Sequence, residues 1–109
     1  MDVKHGAKHM DLPIAKSEII YCSPDGNELT TVVQVGQLRQ QKDQRWACDG
    51  EIPNVERLRT IHGDDSLHTL ILAMGFLADR LEYLVNSGAS VLSPGTREPA
   101  PISQVLPRL

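Results

Sequence analysis

DSLHTLILAMGFLADRLEYLVNS, residues 65–87, is the longest stretch of the 109-residue chain with a helical period. Leu67, Leu70, Ile71, Met74, Leu77, Ala78, Leu81, Leu84 and Val85 recur at intervals of three and four, which draws one apolar stripe along a helix. Gly63-Asp64-Asp65-Ser66 supplies its start. A short side-chain oxygen there accepts a bond from an orphan N–H, and acidic groups favour the positive end of the dipole. The spacing predicts a helix from about Asp65, stopped by Gly88 after Asn86-Ser87, with no proline inside it. Such a stripe needs a sheet to cover.

Upstream, the sequence reads as that sheet. Ile14–Cys22 is rich in strand formers, and Ser23-Pro24-Asp25-Gly26 is a turn with proline preset at its second position. In Glu28–Val35, Leu29, Thr31, Val33 and Val35 share one face, and Thr30, Val32 and Gln34 share the other. The two strands are expected to form a hairpin. Gln37–Gln44 is polar apart from Leu38 and reads as an exposed loop. Arg45–Ile52 alternates again, with Trp46, Cys48, Gly50 and Ile52 against Arg45, Ala47, Asp49 and Glu51. Pro53-Asn54 turns the chain into a fourth strand over Val55–Ile61. The fold class is therefore α+β: an antiparallel sheet of about four strands packed by one long helix, occupying residues 13–88.

Beyond these limits the pattern weakens. Met1–Leu12 has no hydrophobic period and reads as a mobile leader. Residues 89–109 hold Pro94, Pro99, Pro101 and Pro107, four of the seven prolines, and read as a tail that no helix crosses. Val91, Leu92, Ile102, Val105, Leu106 and Leu109 make it more apolar than a free linker, so part of it is expected to lie against the domain or a partner.

Composition bounds the function. Eleven basic and fourteen acidic side chains give a formal charge of -3, too little positive field to hold a phosphate backbone, so nucleic acid is not an expected partner. The longest apolar run, Leu70–Gly75, cannot span a bilayer, and the N-terminus lacks the apolar core of a signal peptide. A cytoplasmic location and reduced Cys22 and Cys48 are the expectation. No CxxC or HExxH pattern occurs, and no cofactor or metal is expected.

Two sets of residues could carry function. The helix has a second apolar ridge, Leu72, Phe76 and Tyr83, which a one-sided helix would not need. Three explanations compete: the C-terminal tail folds over it, a second protomer packs there, or a different protein does. The other set is His62, Asp64, Asp65 and His68, the one compact group of acid, base or metal-binding side chains. His62 could act as a base, and His68 could ligate a metal with Asp65. Against this, helix capping already accounts for both aspartates. His62 could also activate Cys48 if the register placed them side by side. The blander reading makes Trp46 and Cys48 core residues, His5 and His9 parts of the leader, and Arg39, Lys42 and Arg45 the charges of a solvated loop.

Arg45–Leu84, with its Trp-x-Cys strand, the later glycine of that strand and the Gly-Asp-Asp-Ser start of a leucine-rich helix, resembles a group of small bacterial proteins of unknown function. The resemblance covers about a third of the chain. It implies a bacterial source and a sheet-plus-helix fold, and supplies no catalytic residues. Bacterial proteins of this size and shape include immunity proteins that neutralise toxins. The leading expectation is thus a non-enzymatic interaction module that binds a protein partner, a toxin in the immunity version, or self-associates through the ridge. The alternative is a small enzyme or ligand- or metal-binding protein using the His62–Asp65–His68 region.

Overall fold

The strand segments alternate because successive side chains point to opposite faces of a sheet, and the computed structural model, which describes Met10 and residues 12–107, joins them in one antiparallel sheet. The strands are β1 (Ala15–Cys22), β2 (Glu28–Val35), β3 (Arg39–Gln40), β4 (Trp46–Ile52), β5 (Glu56–Gly63) and β6 (Ser90–Leu92), with helices α1 (Ser66–Asn86) and α2 (Ile102–Val105). The leader expected over residues 1–12 lies, except for Met10 and Leu12, outside the described residues.

β1 and β2 form the expected hairpin, closed by Ser23 and Asn27, with Gly26 at φ 93° where a side chain would be strained. β4 and β5 form a second hairpin, turned at Asn54 with φ 66°. One edge of β4 is taken by β5. Its other edge is shared, by β3 at Trp46 and Ala47 and by β2 at Gly50 and Glu51. β6 pairs with the far side of β1.

Two short strands separate this sheet from the four-strand expectation, and each has a physical reason. Residues 37–44 are not a simple loop. Arg39 and Gln40 pair with β4, and Gln44 turns the chain at φ 75°. Backbone pairing of exposed residues needs no apolar alternation, so it left no period to read. The proline-rich segment contributes β6, and between Pro101 and Pro107 there is room for the single turn of α2, with Pro101 capping it. Leu106 is buried there, and Ile102 and Val105 pack against the core.

α1 starts where expected. The Asp65 carboxylate accepts the His68 N–H at 2.7 Å, and Gly88 follows the helix at φ 111°. The face it buries is rotated from the anticipated stripe. Thr69, Ala73, Leu77, Ala78 and Leu81 are buried, whereas Leu67 is 62% exposed and Val85 37%. Leu70 and Met74 are half-buried against the core. Thr69 can be interior because its hydroxyl donates to the Asp65 carbonyl at 2.6 Å, which removes the cost of burying it. The helix also lies close to β5 at this point: a Cβ on Gly63 would stand 3.0 Å from Thr69 Cα and closer still to its hydroxyl.

Leu77 fills the centre. It is fully buried, and its side chain lies over Gly50, where a Cβ would come within 3.2 Å of it. Val33, Val35, Cys48 and Ile52 surround that contact. The two glycines therefore set how closely helix and sheet approach. Gly63→Ala is expected to destabilise the protein by about 1–3 kcal/mol through overpacking against backbone. Gly75→Ala, whose new methyl meets nothing within 4 Å, is expected to stabilise it by about 0.5–1 kcal/mol through helix propensity. Urea denaturation of the two variants checks the contrast.

Candidate functional site

β5 and α1 position nearly all the side chains that the sequence offers for function. Strand alternation separates the histidine group. Ile61 lies opposite Cys48, and His62 lies opposite Ala47, so Ile61 faces the helix and His62 faces away from it. His68 lies on α1, across the sheet from His62. His62, Asp64, Asp65 and His68 are all exposed, and the Asp65 carboxylate is engaged as the helix cap. Among the described residues no three His, Cys, Asp or Glu side chains converge as a metal site would require. His5 and His9 lie outside the described residues.

The same register bears on the thiol. Cys48 is completely buried, its Sγ 3.5 Å from the Gly36 carbonyl, and its cross-strand neighbour is Ile61. His62 is on the opposite face, so it cannot serve Cys48 as a base. Burial pushes the Cys48 thiol above its ordinary pKa, with the nearby Asp49 charge acting the same way. A raised pKa keeps the thiol protonated and weakens it as a nucleophile. It also links stability to pH: Cys48's contribution is complete below the ordinary thiol pKa and is lost as pH rises through the elevated folded value.

The outer face of the sheet carries a polar group that no local pattern revealed. Arg39 makes two bonds to the Asp49 carboxylate, at 3.1 and 3.3 Å, and the Thr60 hydroxyl donates to it at 2.6 Å. Next to it, Gln34 donates to Glu51 at 3.1 Å, both side chains buried. The acceptors lie on one face of β4, as its alternation foretold. Their donors come from β2, β3 and β5, and only the register brings them there. Arg39, which read as a loop charge, is in fact a partner of Asp49.

The second apolar ridge divides. Phe76 is half-buried against the core, and the Arg59 guanidinium lies 5.9 Å from its ring centre. Leu72 is 39% exposed and Tyr83 58%, with Arg80 placed 5.0 Å from the Tyr83 ring and bonded to Glu56 at 3.0 Å. Among the described residues, as far as Pro107, the C-terminal segment does not supply the cover that was one explanation for the ridge. It packs beside Met74, where Val105, Leu106 and Pro107 border an apolar crevice of about 190 Å³ with Val33 and Val35. Leu72 and Tyr83 thus stay in water on the flank of α1 that overhangs β5.

No helix among the described residues is long and apolar enough to cross a membrane. Comparison with protein-family models, curated proteins and solved structures finds no match to this chain.

Two measurements check the site geometry. Asp65→Ala removes the cap and is expected to lower stability by about 1 kcal/mol in denaturant unfolding. In the native protein a disulfide reagent at pH 8 is expected to titrate one thiol, the partly exposed Cys22, and to reach Cys48 only after denaturation. Rapid reaction of both would contradict the buried position of Cys48.

Proposed function

We propose that the protein is a non-enzymatic interaction module that docks a protein partner, a different protein or a second copy of the chain, on the outer flank of α1, through Leu72, Phe76 and Tyr83. The observation that carries this reading is the exposure of Leu72 and Tyr83 on a helix whose buried face, Thr69, Ala73, Leu77, Ala78 and Leu81, is already used against the sheet. Water-exposed leucine and tyrosine on a rigid element are what an interface core is made from, since aromatic anchors supply contact area at low entropic cost. Arg80 is held by Glu56 and lies against Tyr83, so the ring is already oriented before anything binds.

The reading places the protein in the cytoplasm, where Cys22 and Cys48, both free thiols, stay reduced. Neutralising a toxin is its narrower form, in which the docked partner loses its activity while bound.

The test compares the wild type with Leu72→Asp and Tyr83→Asp, both exposed positions at which the fold is expected to survive. A partner retained by the immobilised wild type is identified, purified and titrated against all three proteins by calorimetry. Each charge is expected to weaken binding at least about tenfold, as for a residue at the centre of an interface. Equal affinity for all three proteins would sink the assignment of this flank.

A further inference from the structure

The edge of the sheet beneath that flank is open. Among the described residues β5 pairs with β4 alone, which leaves one row of its backbone N–H and C=O groups unpaired. Open edges invite pairing, and β5 has features that limit it to selected partners. Its register against β4 shifts between Gly50 and Ile52, and it carries the exposed Arg57 and Arg59.

The charges are distributed unevenly along the strand. Arg57 and Arg59 occupy its first half beside Glu56, whose carboxylate is held by Arg80, and Asp64 and Asp65 follow directly after its last residue, Gly63. Arg57 and Asp64 are both exposed, and neither has an ion pair among the described residues. The basic end of β5 therefore complements its own acidic end. An antiparallel copy centred on Thr60 would place Arg59 beside Ile61 and Arg57 beside Gly63, diagonal to Asp64, while Glu56, which then stands opposite Asp64, already has its charge taken by Arg80; each contact occurs twice by symmetry.

Strand and helix are also in step. Gly63 lies against Thr69, Arg59 against Phe76 and Glu56 against Arg80, so α1 runs back along β5 with the middle of each beside the middle of the other. One two-fold axis can thus serve both layers, pairing β5 with β5 while the two α1 flanks face each other near Phe76. The shared face is roughly 27 Å long by strand rise and spans two layers, an area on the order of the about 800 Å² per partner that a standard interface buries.

We infer that the partner for this surface is a second copy of the chain, docked antiparallel along β5 with the Arg57 end of each strand against the Asp64 end of the other. The inference rests on the interaction-module reading and names its partner. It makes a continuous sheet across the dimer and accounts for two charges that have no ion pair among the described residues of the single chain.

A charge swap followed by sedimentation velocity tests it. The wild type is expected to sediment with twice the 12.0 kDa mass of one chain. Arg57→Asp and Asp64→Lys are each expected to weaken self-association about tenfold or more, and the double variant is expected to recover most of the loss, because the pair is restored with its signs exchanged. Far-UV circular dichroism confirms folding; should a reversal unfold the chain, Arg57→Gln and Asp64→Asn take its place, each expected to weaken the dimer, and no change in either would overturn the inference. A monomeric wild type overturns it and leaves the docking of a different protein on α1 to be judged by its own titration. A dimer indifferent to both substitutions overturns it too, since self-association would then use another face.

Discussion

The seating of Leu77 over Gly50 is the contact on which the rest depends. A residue without a side chain in the middle of β4 lets a fully buried leucine reach the sheet, and Ala73, Ala78 and Leu81 close around it. Gly63 does the same at the start of the helix, where Thr69 lies against the strand backbone. With both approaches fixed, the rotation of α1 is fixed as well. Leu72 and Tyr83 are left facing water because the side chains that fill the interior are the ones that can come closest to the sheet.

That seating also places α1 toward one edge. It lies over β4 and β5, and the C-terminal segment covers the other side of the helix beside Met74. The molecule is therefore asymmetric: one flank is partly covered by its own C-terminal segment, and the other combines a strand edge unpaired among the described residues, two exposed apolar side chains and opposite charges near the two ends of β5. The histidines do not share this organisation. His62 and His68 are on different faces of the protein, divided by the sheet.

Much of the fold was legible because it depends on local periods. The β2 alternation, the turn at Gly26, the strand from Trp46 and the cap at Asp65 all appear in sequence as they appear in structure. The rest depended on neighbours distant in the chain. Thr69 looked polar, yet its hydroxyl is satisfied four residues back; Leu67 looked like core, yet helix rotation exposes it. β3 is held by backbone pairing, which has no side-chain signature, and β6 was visible only as the apolar Val91 and Leu92 of a proline-rich segment, without its pairing to β1. The ridge on α1 could be seen as an excess of apolar residues, but its position above an open strand edge could not. Nor could the Arg39–Asp49–Thr60 group, whose members come from three strands.

Native-state hydrogen exchange tests the central claim most directly, because it asks whether α1 and the middle of the sheet are one cooperative unit. If Leu77 seated on Gly50 joins the two layers, the amides of Leu77, Ala78 and Leu81 exchange only through the same global opening that releases Cys48 and Gly50 in β4. Exchange of the α1 amides at a lower free energy, while β4 stays protected, would show a helix that detaches from an independently stable sheet, and would contradict the account.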